Sequence, residues 1–338
     1  RMLERRYAAY SELFGARYRS SQPVILYANH ADFQQTNVIG QRIPQGTGGF
    51  TESLANRIVL PIAGVYSDTE HVLAHELVHA FLFGMGGGSF ERASSDLPLW
   101  FSEGLAEYLS LGDTHTHTAM WMRDAVLHER LPSGGSLTRR PDKYSPYRYG
   151  HAIWSYIAGV WGHEITGELT RKALRRGWKN AIRNVLHIEP ADLIAEWRAA
   201  TEETALSVID GRQPPEALGE KIFGEPGGLY LSPSLSPDGG TIAFLSRRDP
   251  FTMDLYLADA QTGKITKKLA SSATDEHFDS LRFIDSSGTW SPDGGSFAFV
   301  VDRRGDNAVA ITDARNGGIH RVIHIAEVGA IYQTAWSP

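Results

Sequence analysis

Apolar side chains return every three or four residues along the first part of the chain. They return every second residue along the last third. The pattern therefore predicts a mainly helical body followed by a strand-rich one. Leu3, Tyr7, Tyr10, Leu13, Phe14 and Tyr18 form the stripe of a first helix, closed by Gly15 or by Ser20-Ser21. Val24-Ile-Leu-Tyr-Ala28 reads as a short buried strand, Asp32 to Gln35 opens a helix, and Arg57 to Leu60 reads as a second strand. Val72, Leu73, Leu77, Val78, Phe81 and Leu82 line the next helix, with Asp68 or Thr69 as N-cap and Glu70 in its first turn. Gly84, Gly86, Gly87 and Gly88 end it, and a Gly/Ser-rich loop follows to Asp96. Leu97, Trp100, Phe101, Leu105 and Tyr108 mark another helix face. A mixed polar segment over 111–131, broken by Gly134-Gly135, reads as a lid or loop. Ser145-Pro146 starts a helix with proline in its first turn. Residues 164–184 form a helix kinked or broken at Gly177, and Pro190 opens a last one running to about Leu206.

The period changes after Asp210-Gly-Arg-Gln-Pro214-Pro215, which reads as the domain boundary. Ser236-Pro-Asp-Gly-Gly240 precedes the apolar run Thr241 to Leu245, and 55 residues later Ser291-Pro-Asp-Gly-Gly295 precedes Ser296 to Val300. Asp254 to Gly263 is matched by Val309 to Gly317 at nearly the same shift. Repeats of this length predict propeller blades or a solenoid. The Ser-Pro-Asp-Gly turn with its following strand resembles the TolB-like propeller family, and Trp336-Ser337-Pro338 looks like the start of a further unit. The resemblance implies an incomplete propeller of about two blades within a longer protein. The expected division is 1–212, a linker over 213–224, and propeller repeats over 225–338.

Composition narrows the function. With 338 residues, 42% hydrophobic and 21% charged, each part can bury a core. A formal net charge of −6 argues against a nucleic-acid surface. The absence of cysteine excludes disulfides, thiolate metal sites and a cysteine nucleophile. No run of about 18 apolar residues predicts a membrane span. The chain opens at Arg1 with no signal peptide, and since it does not open on Met, a leader could have preceded it.

The chemistry concentrates in His71-Val-Leu-Ala-His75-Glu76-Leu-Val-His79. On a helix His75 and His79 are one turn apart on one face, where two imidazoles can share a metal ion, with Glu76 beside them to handle a proton. A zinc ion that does chemistry wants three protein ligands and an open position. The helix around Trp100 offers Glu103 and Glu107, one turn apart. One carboxylate can bind the metal, and the other can accept the free N–H of a ligating imidazole. His115 and His117 are two apart and would not face each other on a helix, so with His128 they read as surface residues rather than a second metal site.

His75-Glu76-x-x-His79 followed by Trp100-Phe-Ser-Glu103-Gly104-Leu-Ala106 resembles the gluzincin metallopeptidases of the peptidase MA-like superfamily across roughly residues 20–200. The resemblance implies an α+β zincin-like domain. It assigns His75, His79 and Glu103 to Zn2+, Glu76 to catalysis and Glu107 to the shell behind the ligands. Relatives carry a tyrosine three residues before a glycine at the head of the equivalent downstream helix, where its hydroxyl stabilises the oxyanion. Tyr147 fits that position, with Tyr149 as the fallback and His151 a weaker candidate. In this family a strand just before the metal helix forms the edge of the cleft, which places 57–60 there, with Gly48, Gly49 and Phe50 against the substrate.

The expected function is therefore zinc-dependent hydrolysis of peptide bonds in a peptide or protein substrate, as an endopeptidase. An aminopeptidase is the alternative, although its G-x-M-E-N motif is missing and residues 46–56 offer only Glu52. A second alternative is a binding protein with a residual metal site whose propeller recruits a protein partner. The TolB-like resemblance implies an exported protein, periplasmic or extracellular in a bacterium.

Overall fold

The computed structural model describes residues 1–16, 22–28, 30–36, 43, 47–52, 55–62, 65–86, 97–213, 215–225, 228–247, 253–271, 280–281, 288–303, 306–325, 328 and 331–338. It forms two compact units, one comprising 1–27 and 37–212, the other 28–36 and 213–338.

The first unit opens with α1 (Met2–Phe14), stopped by Gly15 in the left-handed conformation at φ 56°. A three-stranded sheet follows, in the order β1 (Val24–Tyr27), β3 (Arg57–Pro61), β2 (Phe50–Glu52). β1 runs parallel to β3 and β2 antiparallel to it. This overturns two expectations. The 57–60 strand is central, with Ile58, Val59 and Leu60 fully buried, and the edge beside the metal helix is β2. β1 is an outer strand, so it is only half buried, and Leu26 is 51% exposed. The segment at Asp32 belongs to a short helix, α2 (His30–Gln34).

α3 (Tyr66–Met85) carries the His-Glu motif. It begins earlier than Asp68 or Thr69: its N-cap is Val65, with no capping side chain, and Asp68 sits in the first turn against the helix dipole. Thr69 instead donates back to the Val65 carbonyl at 3.3 Å, the bond a hydroxyl makes inside a helix. The helix continues through Gly84, and the expected loop at 87–96, with Gly87 and Gly88, lies outside the described residues. Phe81 anchors α3 to α1, with its ring 5.5 Å from both Tyr7 and Phe14.

α4 (Leu99–Leu111) and α7 (Pro146–Trp161) cross in close contact. Phe101 stacks edge-on against Trp154 at 4.8 Å, and Trp154 Nε1 donates to the Phe101 carbonyl at 2.8 Å. At the start of α7, Pro146 occupies the first turn and Ser145 Oγ accepts from the Arg148 N–H. Residues 111–131 are not a lid: they hold α5 (Thr116–Leu127), whose Thr118, Met122 and Ala125 are buried at helical spacing. α6 (Ser136–Arg139) is a single turn. Gly177, at φ 78°, separates α8 (Ile165–Arg176) from α9 (Trp178–Val185), so 164–184 is two helices. α10 (Pro190–Ile209) completes the unit.

The second unit also takes in α2, and α11 (Pro215–Leu218) puts a helical turn inside the expected linker. The rest is antiparallel sheet. β4 (Tyr230–Leu235), β5 (Thr241–Ser246), β6 (Asp254–Asp259) and β7 (Ile265–Ser271) form one meander. β8 (Ser280–Leu281), β10 (Ser296–Arg303), β11 (Asp306–Asp313) and β12 (Ile319–His324) form a second, with β9 (Thr289–Trp290) also on β10. Among the described residues neither sheet closes on itself. One hydrophobic cluster spans both, joining Leu255 and Leu257 to Phe297, Phe299 and Val301.

The repeat is visible in the hydrogen bonds. Asp238 Oδ1 accepts from Ser236 Oγ and the Gly240 N–H, and Asp293 Oδ1 accepts from Ser291 Oγ and the Gly295 N–H. Gly239 and Gly294 hold the same left-handed conformation, at φ 73° and 69°. Trp290 Nε1 reaches back to the Ser234 carbonyl, and Trp336 Nε1 reaches back to that of Thr289, so successive units are stitched the same way.

Candidate metal centre

α3 delivers His75 and His79 one turn apart, and α4 brings Glu103 against them. His75 Nε2 lies 3.2 Å from Glu103 Oε2 and 3.2 Å from His79 Nε2, and His79 Nε2 lies 3.3 Å from Glu103 Oε2. Three donor atoms so spaced fit a tetrahedral ion. Bonds of about 2.0–2.1 Å to imidazole and carboxylate give ligand-to-ligand edges of about 3.3 Å. These residues could hold a metal ion.

The shell behind them is as ordered. Glu107 is 3% exposed, and its Oε1 lies 3.1 Å from His75 Nδ1 and 3.4 Å from His71 Nε2. Its Oε2 accepts from Arg148 Nη1 at 3.0 Å. Ser110 Oγ sits 3.0 Å from His71 Nδ1. His71, His75 and Glu107 also lie close enough to form a metal-holding group. His75, however, presents Nε2 to Glu103 and Nδ1 to Glu107, so the second trio is better read as the orienting layer behind the first.

Burial opposes charge throughout this cluster. It would lower the pKa of His75, but the hydrogen bonds to Glu103 and Glu107 and the negative charge of Glu76 outweigh it and lift the imidazole to about 10. Glu103 is likewise desolvated, yet the charge and hydrogen bonds of His79 and His75 hold it well below the usual carboxylate range. Glu107 is held low against burial by its bonds to His71 and His75. Buried carboxylates in this number need positive charge among them, which the imidazoles and Arg148 supply here and which a metal ion could supply as well.

A cleft of about 240 Å³ opens onto the trio. His75, Glu76, His79, Glu103, Tyr147, Gly49 and Phe50 all line it. The Thr51 hydroxyl bonds to Glu76, with the Glu76 backbone carbonyl and Oε2 each 2.8 Å from Oγ1. This fixes the carboxylate from the edge strand. The Tyr147 ring stacks over His75 with centroids 5.9 Å apart. Burial of its hydroxyl, and then the charges of Glu103 and Glu76, raise its pKa, so the phenol stays protonated and able to donate.

Not every expected residue joins the site. Gly48 lies outside the wall of the cleft and packs on Val72, where an added Cβ would come within 2.9 Å of Cγ2. Tyr149 is buried elsewhere, edge-on to Tyr144 and Trp197. His151 donates Nε2–H to the Gly112 carbonyl, away from the trio. Glu52 is tied to Arg57 at 2.6 Å. His115 precedes α5 and His117 lies in it, with rings 6.3 Å apart, and His128 faces Asp124. None of the three is in a metal-holding group among the described residues. Sequence reading passed over Thr51, Arg148 and His71. Only His71 left a signal, the stripe His71, His75, His79 at intervals of four.

No family profile and no curated protein sequence matches the chain. Among solved structures, the chain is similar to the crystal structure of TolB from Acinetobacter baumannii, at 27% identity and a TM-score of 0.25, over 33% of this chain and 24% of that one. The chain thus spans about a quarter of that protein's length. Among the described residues no helix is long and apolar enough to cross a membrane.

Proposed function

We propose that the first unit is a zinc-dependent peptidase. The observation that carries this reading is the meeting of His75, His79 and Glu103 at 3.2–3.3 Å in a cleft that also holds Glu76 and Tyr147. Two imidazoles and a carboxylate favour zinc over a harder cation, which would take more oxygens. When bound, zinc supplies acidity to nearby water and polarises a carbonyl. Glu76, held by Thr51, takes the proton of the attacking water and passes it to the leaving amine. Tyr147 donates a hydrogen bond from its hydroxyl to the oxygen that becomes negative. The β2 edge aligns an extended peptide by main-chain hydrogen bonds. Among the described residues of this edge the one acid, Glu52, is engaged by Arg57, and this supports internal cleavage over reading of a terminal amine.

The two meanders support a partial TolB-like propeller, by their repeated Ser-Pro-Asp-Gly turns and shared tryptophan bonds. Its role would be recruitment of a protein partner. The resemblance of these turns to that family supports a location outside the cytoplasm of a bacterium.

The test is metal content with turnover of a quenched-fluorescent peptide library. Wild type should carry one zinc at this site and cleave internal bonds. His79→Ala should lose most of the metal and the activity together. Wild-type stoichiometry at the site retained in His79→Ala would overturn the ligand assignment. Zinc without turnover on any peptide would leave a binding protein instead.

Tyr147→Phe should lower kcat about 10-fold or more with little change in KM, because its hydroxyl acts only as charge develops. Steady-state kinetics would show it. An unchanged kcat would remove Tyr147 from the mechanism.

A further inference from the structure

The first unit holds a second cavity, larger than the cleft at His75, His79 and Glu103. It has a volume of about 510 Å³ and lies between α5, α7 and α10. Its wall is mostly apolar, with Met122, Ala152, Ala200, Ala205 and Val208 on the three helices. Size, composition and a seat between bundle helices are those of a small-molecule site.

The polar atoms in that wall are the unusual part. Five buried side-chain polar atoms of residues of this one wall have no hydrogen-bond partner among the described residues: His115 Nδ1, Thr118 Oγ1, His151 Nδ1, Ser155 Oγ and Trp197 Nε1. Thr118, His151 and Trp197 are each at least nine-tenths buried, at 5%, 1% and 1% exposure. Native interiors leave few such groups, because an unpaired buried donor or acceptor is destabilising. Five around one cavity mark partners supplied from outside the chain, once the wall adjusts around them.

Their chemistry describes the partner. His151 Nε2 faces the Gly112 carbonyl at 2.9 Å, so it carries the hydrogen, and Nδ1 is left as an acceptor. Burial lowers the pKa of His151 and keeps it neutral. Trp197 Nε1–H can only donate. Thr118 and Ser155 can do either. The wall thus calls for one group that both donates and accepts, on an apolar body. No charged side chain is among the five, and the two charged residues in the wall, Asp113 and Arg123, are of opposite sign.

We propose that this cavity binds a small uncharged molecule with an apolar body and a hydroxyl or carboxamide group. The site is separate from the metal centre, and its test needs neither metal nor peptide turnover.

The probes are 2-naphthol, which has such a hydroxyl, and naphthalene, which has the same body without it. Binding to the full chain would be followed by 2-naphthol fluorescence, with naphthalene as competitor. Wild type should bind 2-naphthol saturably and about tenfold or more tighter than naphthalene, the difference a hydroxyl with two partners makes. Ala200→Phe, which fills the cavity, should abolish binding. Thr118→Val with Ser155→Ala, which removes two of the unpaired hydroxyls at little change in volume, should bring 2-naphthol down towards the affinity of naphthalene. That pair decides the matter if Ala200→Phe does not fold. Four results would each overturn the proposal: no saturable binding, equal affinity for both probes, binding unchanged in the paired variant, or full binding in folded Ala200→Phe. A dimer that Ala200→Phe dissociates would also overturn it, by making this face a contact between copies.

Discussion

Glu76→Gln is expected to keep its metal and lose turnover by roughly 10²–10⁴-fold. The amide has the size of the carboxylate and can still accept the Thr51 hydroxyl, which in the native chain lies 2.8 Å from Oε2. It cannot take up a proton. Glu76 is not among the three atoms that meet at 3.2–3.3 Å, so the ligand set is untouched. A loss of that size is about 2.7–5.5 kcal/mol on the barrier, whereas the fold should hardly register the change. Metal content by mass spectrometry and kcat on a fluorogenic peptide separate the two effects. An active Glu76→Gln protein would mean another base. An inactive protein that has also lost its metal would mean that Glu76 acts through the site's integrity and not on the proton.

What the chain's pattern made legible was whatever depends on spacing along one helix. His75 and His79, and Glu103 and Glu107, are each four apart, and that interval alone puts each pair on one face. That the two faces meet was legible only through the family resemblance. Thr51 and Arg148 were not legible, because they reach Glu76 and Glu107 from 25 and 41 residues away in the sequence. Strand order failed for a similar reason. Ile58, Val59 and Leu60 announce a buried strand, but whether it is central or at an edge depends on which strands flank it. The helix over 116–127 is a different miss. Thr118, Met122 and Ala125 recur at helical intervals, but two of the three are weakly apolar and histidines crowd the segment, so polarity masked the period. The unpaired atoms around the cavity come from three separate helices and the residue that caps one of them, and have no signature in the sequence at all.

Gly150→Ala should strongly destabilise the first unit. A Cβ at Gly150 would sit 2.2 Å from the Trp100 carbonyl oxygen and 2.7 Å from Gly104 Cα, and one at Gly104 would sit 2.4 Å from the Gly150 backbone. These neighbours are main chain inside helices, so neither can swing aside, and α4 and α7 must separate. Overpacking of this kind costs about 3 kcal/mol at the upper end of its usual range. For a unit of this size that corresponds to a midpoint lowered by about 6–12 °C. The same separation draws Tyr147 and Arg148, on α7, away from His75 and Glu107, so activity should fall at temperatures where the variant is still folded. This also accounts for the two motif glycines: Gly104 follows Glu103, the proposed metal ligand, and Gly150 follows Tyr147 by three, and each is the space the other helix occupies. Gly159→Ala, on the same helix, supplies the control. Nothing lies within 4 Å of a Cβ there, so the helix should gain up to about 1 kcal/mol. Calorimetry of both variants, with kcat measured well below the midpoint, is the check. Equal midpoints for Gly150→Ala and Gly159→Ala would show that the helices part easily, and that the close crossing does not set the geometry of the site.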